Sequence, residues 1–176
     1  FSVNTTWRQT ISMTRNLVLR YGQPLANRGH AFPFPEAIAD ADPEELRHVC
    51  RVGYRAAPLV RIARAVTTGE VDLEALKQAS ADEAELRLRA LPGIGPYAAA
   101  NVLMLLGHYD HLPVDSWFRN TVRDAWFEGR NVPDPELIAA FDRFRPYRTL
   151  VYRFYDWNGA LRTDVWIRTE PSPNPP

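Results

Sequence analysis

One stretch constrains this chain more than any other: LPGIGP at 91–96 followed by YAAANVLMLLG at 97–107. The second part is apolar almost all round, so a helix there needs other helices on every side. At eleven residues it is also far short of the roughly 20 needed to cross a bilayer, and no other apolar run comes closer. Such a helix belongs at the centre of a helical domain. The rest of the sequence supplies its neighbours, with no alternating strand pattern. Together they predict an all-α fold of about ten short helices, in one or two lobes.

The first helix carries Trp7, Ile11, Thr14/Arg15, Val18 and Leu19, capped by Asn4 or Thr5 and stopped at Tyr21-Gly22. GQPLANRGHAFPFP is too rich in Gly, Pro and Asn to form an element. A short helix from Pro35 ends near Asp40, and Asp42-Pro43-Glu44-Glu45 reads as a cap, a proline at the first position and acids facing the dipole. A helix over 56–68 buries Leu59, Ile62, Ala63 and Val66. Further helices open at Asp72, at Ser80 or Asp82, at Asp115 or Ser116, at Pro135 and at Pro146. The helix from Asp115 or Ser116 carries Trp117, Val122, Ala125 and Trp126, and the one from Pro146 packs through Leu150, Val151, Phe154 and Tyr155. The PSPNPP end reads as a frayed, disordered tail over 169–176.

Composition removes several functional classes. Cys50 is the only cysteine, which excludes an intrachain disulfide, a cysteine-rich zinc site and a cysteine-ligated iron–sulfur cluster. His30, His48, His108 and His111 form no H-x₃-H pair on one helix, so no metal site is expected. The 21 basic and 21 acidic residues cancel, but not evenly: residues 1–68 hold nine arginines against five acids, and residues 69–114 hold three basic against seven acidic groups. Twenty of the 21 basic residues are arginine, which suits bidentate phosphate or carboxylate contact; Lys77 is the sole lysine. The opening Phe1 and the absence of a signal-peptide pattern lead to the expectation of a cytoplasmic or nuclear, non-secreted protein, and of a chain that is a fragment of something longer.

Chemistry concentrates between 91 and 119. Pro92-Gly93-Ile94-Gly95 makes a tight turn into a helix, leaving amides bare at a positive dipole end with no side chain in the way. That arrangement cradles phosphate, and phosphate contact positions a duplex without reading its sequence. The same residues also suit a plain helical corner. Asp115, in LPVDSWFR, is either an N-cap worth about 1 kcal/mol or, if Ser116 caps instead, a free carboxylate at a helix mouth.

Turn and aspartate together resemble the helix-hairpin-helix (HhH-GPD) DNA glycosylase superfamily, whose hallmark is L-P-G-[VI]-G followed at this interval by V-D. The stretches FPFPEAIADADPEELRHVCRVGYRAAPLVRIARAV and NTTWRQTISMTRNLVLRYG are similar to the alkylation-type (3-methyladenine) and 8-oxoguanine-type branches without an iron–sulfur cluster. The likeness implies a glycosylase core over 1–168, a hairpin at about 86–107, a catalytic helix at about 115–128, an active-site cleft and a missing N-terminal lobe. It implies a base excision repair enzyme that breaks the N-glycosidic bond of a flipped-out damaged base in double-stranded DNA, acting as a monomer. Asp115 matches the carboxylate that stabilises the oxocarbenium-like transition state. Gly93, Ile94 and Gly95 match the phosphate-holding amides, and turn carbonyls beside that phosphate can hold a monovalent cation. No other cofactor is expected.

Bifunctional relatives place a lysine two residues after the second hairpin glycine, where it attacks the sugar to form a Schiff base. Here that position is Tyr97, and Lys77 sits 14 residues before Leu91, so the resemblance implies a monofunctional enzyme. Trp7, Tyr97, Trp117, Tyr155 and Trp157 are candidate walls of the base pocket, offering π faces to an electron-poor alkylated purine. An oxidised or deaminated base, a mismatch, and a non-catalytic DNA-binding module are the alternatives.

Overall fold

The computed structural model describes residue 1, residues 3–26 and residues 29–155. Among them are nine α-helices, three 3₁₀ turns and one isolated antiparallel bridge between Pro24 and His30, with no strand. None of these helices is long and apolar enough to cross a membrane. The chain divides into two compact units, Phe1–Gly95 and Pro96–Pro176. The expected proline-rich tail at 169–176 and Trp157 lie outside the described residues.

The first unit begins with α1 (Trp7–Tyr21), and its cap is Thr6, not Asn4 or Thr5. Only Thr6 has a glutamine three residues on: its amide donates to Gln9 Oε1 at 3.0 Å, and its hydroxyl accepts from the Gln9 amide at 3.3 Å. Gly22 ends the helix because nothing larger fits, since a Cβ there would stand 2.1 Å from the Ala31 carbonyl oxygen. The buried stripe of α1 is Met13 and Leu17; Trp7, Ile11 and Leu19, part of the apolar repeat that marks the helix, are exposed, Trp7 by 74%. Both sets repeat at helical spacing, so sequence periodicity alone does not rank them.

Next come α2 (Pro35–Ala39), α3 (Pro43–Val49) and α4 (Ala56–Thr67). The Asp42 carboxylate caps α3 at 3.0 Å from the Glu44 amide. Helix α4 packs along α2 and α3 through Ala56, Val60 and Ala63, while Leu59, Ile62 and Val66 are half-buried. These residues join Met13, Leu17, Leu46, Cys50 and Val52 in an aliphatic core. The segment from Asp72 is a single 3₁₀ turn at Ala75–Lys77, with Asp72 accepting from the Glu74 and Ala75 amides. Ser80 then caps α5 (Ala81–Ala90).

The second unit holds α6 (Pro96–Leu105), α7 (Ser116–Trp126), α8 (Asp134–Ala139) and α9 (Arg148–Phe154). Its core is largely aromatic: Phe118, Phe141 and Tyr152 with Val122, Phe127, Val132 and Leu137. Phe118 meets Tyr152 edge-on at 5.0 Å between centroids, and Trp126 lies 4.6 Å from Phe141. Ala125 is exposed. Helix α6 buries Ala99, Ala100 and Leu103 but leaves Leu105 exposed, so its all-round apolar composition does not translate into all-round burial. Alanine suits a helix in either setting, and three of them overstate the drive to bury it. On α9 the buried residues are Arg148, Thr149 and Tyr152, and Phe154 is 78% exposed. The expected apolar face is therefore displaced, because this helix packs a polar end against a loop.

Candidate active site

The hairpin turn follows α5. The Ile94 amide closes it on the Leu91 carbonyl at 3.2 Å, so one of the three expected phosphate-binding amides is already engaged. Among the described residues the Gly93 and Gly95 amides donate to no backbone carbonyl. Gly93 has φ +80°, and a Cβ there would lie 3.1 Å from the Pro58 side chain on α4, so glycine is required both by conformation and by space. Gly95 faces open space.

The second unit presents a cavity of about 220 Å³ lined by Tyr97, Pro113, Asp115, Trp117, Tyr152 and Arg153. Asp115 is the N-cap of α7: its Oδ1 accepts from the Phe118 amide at 2.7 Å. Cap and free carboxylate were alternatives in the sequence; in the structure Asp115 is the cap and lines the cavity as well. A carboxylate has two oxygens, and among the described residues Oδ2 accepts no hydrogen bond. The capping bond orients the group while its charge faces the cavity.

Asp115 is held in place from α9. The Thr149 amide donates to the Tyr109 carbonyl at 2.7 Å and its hydroxyl to the His111 carbonyl at 2.6 Å. Arg148, only 8% exposed, donates to the Asp110 carbonyl at 3.0 Å, to Asp110 Oδ1 at 2.7 Å and to Asp142 Oδ1 at 3.0 Å. Residues 109–111 are thereby fastened four to six positions before Asp115. From the other side, Arg119 forms a two-pronged pair with Asp134, both contacts 2.8 Å, which ties α7 to the start of α8. That pair holds the Asp134 carboxyl below its ordinary pKa, chiefly through the hydrogen bond from Arg119. Burial, with the Asp115 charge nearby, pushes the Tyr152 hydroxyl far up, so it stays protonated beside the carboxylate.

Of the candidate pocket walls, Tyr97 and Trp117 line the cavity with Asp115. Trp117 is 54% exposed and stacks obliquely on Tyr152, 5.8 Å between centroids. Tyr155 accepts a hydrogen bond from Trp126 Nε1 at 3.2 Å, packed edge-on against that ring. Trp7 sits on α1 of the first unit, and Trp157 lies outside the described residues. Lys77 pairs with Glu74 on the exposed 3₁₀ turn of the first unit. Pro113, Tyr152 and Arg153 were missed. The available signal was on α9, where Arg148, Thr149 and Tyr152 share a face at i, i+1 and i+4, marking it as one that meets polar partners.

Comparison with known proteins gives a consistent picture. The family model described as HhH-GPD superfamily base excision DNA repair protein matches residues 1–145. A curated relative from Methanothermobacter thermautotrophicus, named probable N-glycosylase/DNA lyase, is 28% identical over an alignment covering 92% of this chain and 57% of that protein. The 3-methyladenine DNA-glycosylase from Archaeoglobus fulgidus superposes with a TM-score of 0.70 at 28% identity, over 88% of this chain and 56% of that one. The 8-oxoguanine glycosylase/lyase from Clostridium acetobutylicum, bound to double-stranded DNA, gives a TM-score of 0.79 at 20% identity, over 90% and 56%, which is a likeness of fold. The chain thus spans little more than half the length of these relatives.

Proposed function

The chain belongs to the HhH-GPD superfamily of base excision DNA repair proteins, and on that premise we propose that it is a DNA glycosylase that hydrolyses the N-glycosidic bond of a damaged base and leaves the backbone intact. The observation that carries this reading is Asp115, held by its capping bond at the mouth of α7 and facing a cavity walled by three aromatic rings, those of Tyr97, Trp117 and Tyr152. A base rotated out of the duplex costs a few kcal/mol of stacking, least for a damaged one. Tyr97 and Trp117 offer flat faces to receive it. Asp115 lies where positive charge develops on the sugar as the bond to the base breaks, and it also accepts the proton of the attacking water. The hairpin amides of Gly93 and Gly95 hold a backbone phosphate, and the arginine-rich first unit adds positive charge for the duplex.

The absence of strand cleavage is supported by Tyr97 at the family's lysine position and by Lys77 standing on an exposed turn paired with Glu74. In this respect the reading departs from the name of the curated relative. An alkylated purine and a carbonyl-bearing oxidised or deaminated base both fit as flat rings against Tyr97 and Trp117.

The test is excision from duplexes carrying 1,N6-ethenoadenine, hypoxanthine, 8-oxoguanine, uracil or a G·T mismatch, and from methylated DNA, each read with and without alkali. Base release with strand breaks only after alkali, lost in Asp115→Asn, is the expected result. Breaks without alkali overturn the monofunctional reading. Intact DNA binding with no release of any base favours a binding module.

A further inference from the structure

Among the described residues Arg153 is the only cationic side chain lining the Asp115 cavity. Its Nη2 donates to Asn101 Oδ1, and Asn101 Nδ2 donates in turn to the Tyr97 carbonyl at 2.8 Å. The relay is self-consistent: with Nδ2 spent on a carbonyl, Oδ1 is the atom left to face a guanidinium, which has donors and no acceptor. It pins an α9 side chain to α6 one turn from Tyr97. Elsewhere in the second unit Arg119, Arg145 and Arg148 pair with Asp134, Asp110 and Asp142, Arg123 and Arg130 donate to the Val132 and Phe127 carbonyls, and Arg143 lies over the Trp126 and Phe144 rings; none of these lines the cavity. Among the described residues Arg153 pairs with no carboxylate, and a neutral amide holds it in place. The cavity thus carries a carboxylate and, on an exposed side chain whose direction is set by a dedicated partner, a guanidinium able to meet electron density on a ligand.

The glycosidic bond breaks with both electrons staying on the base nitrogen. A cationic N-alkylated purine leaves as a neutral molecule and needs no help from the protein. A neutral base such as hypoxanthine, uracil or 8-oxoguanine leaves as an anion, its charge delocalised onto carbonyl oxygens. Asp115 answers only the sugar side of this separation. Resting on the glycosylase reading, we propose that Arg153, aimed by Asn101, is the base-contacting residue that accepts this developing negative charge, so that the pocket serves neutral, carbonyl-bearing bases. A guanidinium N–H donates to the carbonyl oxygen as the bond lengthens. Water adds to the sugar carbon and gives its proton to Asp115, and the departing base takes a proton from solvent. Donors aimed at charge that appears only in the transition state typically contribute on the order of 10²–10³ in rate.

Single-turnover excision of hypoxanthine and of 7-methylguanine from matched duplexes separates the possibilities, using the wild type, Arg153→Gln, Arg153→Lys and Asp115→Asn. The ratio of hypoxanthine to 7-methylguanine rates should fall about 100-fold in Arg153→Gln. Arg153→Lys, which restores charge without the fork, should recover at least about tenfold of the hypoxanthine rate, and Asp115→Asn should slow both reactions by roughly 10²–10³. A ratio unchanged in Arg153→Gln makes Arg153 a general DNA or packing contact and overturns the proposal. So does a wild type that releases 7-methylguanine but no neutral base, or an Arg153→Lys rate no better than that of Arg153→Gln. A wild type that releases no base fails earlier, at the glycosylase reading itself, and the proposal falls with it.

Discussion

The two units hold their shapes by different means. In the first, the core is aliphatic, and five of the six described ion pairs run between neighbours on one helix or turn, such as Glu83–Arg87 and Glu74–Lys77. In the second, the core is aromatic, and three of the five described ion pairs reach across sequence: Arg148 to Asp110 over 38 positions, Arg145 to Asp110 over 35 and Arg119 to Asp134 over 15. Local pairs decorate helices that would form anyway. Distant pairs decide where loops go, and the loop they direct here carries Asp115. The first unit contributes backbone, in the form of a turn whose glycines leave amides open, whereas the second contributes placed side chains. On the proposed glycosylase reading, rigidity is placed where an atom must sit correctly to within a fraction of an ångström.

The contrast can be broken most severely at the aromatic core. Phe118 is fully buried between Tyr152 and Phe141, so Phe118→Ala should cost about 4 kcal/mol by urea unfolding. Asp115→Asn comes next: asparagine caps as well as aspartate, so the fold should hold while excision falls by roughly 10²–10³. An equal loss of stability would make Asp115 only a cap.

Arg148→Met tests whether the loop clamp matters for position. The substitution removes charge-assisted bonds to the Asp110 carbonyl, Asp110 Oδ1 and Asp142, leaving Asp110 paired, among the described residues, only with the more exposed Arg145, and about 2–3 kcal/mol of stability should go, with the excision rate falling faster than DNA affinity. In the first unit Gly93→Ala should cost about 1–2 kcal/mol, from φ and the Pro58 contact together, whereas Gly95→Ala has room and should weaken DNA binding without destabilising the chain. The smallest effect belongs to the local pairs: Glu83→Ala should change stability by less than about 0.5 kcal/mol.

Acid titration sharpens the same comparison. The Asp134 pKa is depressed in the folded state, so its contribution is present above the unfolded carboxylate value of about 3.9 and is lost as pH falls through the lower folded value. Asp134→Asn should flatten that part of the stability profile, and the Arg119 exchange is the place to look for it.

Much of this protein was legible before any coordinates. The helix starts at Pro35, Pro43, Ala81, Pro96 and Ser116 follow from caps and prolines, which act within three or four residues and so survive any tertiary context. The hairpin and Asp115 stood out for the same reason, since their chemistry is carried by adjacent residues. The sequence also singled out Tyr97 and Trp117, which line the cavity with Asp115, because one follows the hairpin and the other follows the aspartate.

What the sequence left undecided was which face of each helix turns inward. Helix α1 has two apolar stripes and buries Met13 and Leu17; α9 buries Arg148 and Thr149 and exposes Phe154. Spacing along a helix determines which residues share a face, but the choice among faces depends on what packs against it, and those partners lie tens of residues away. Arg153 entered the site by that route, through Asn101, 52 positions earlier. A carboxylate that both caps and faces a cavity, and an arginine aimed by a distant amide, come into being only when the chain closes on itself.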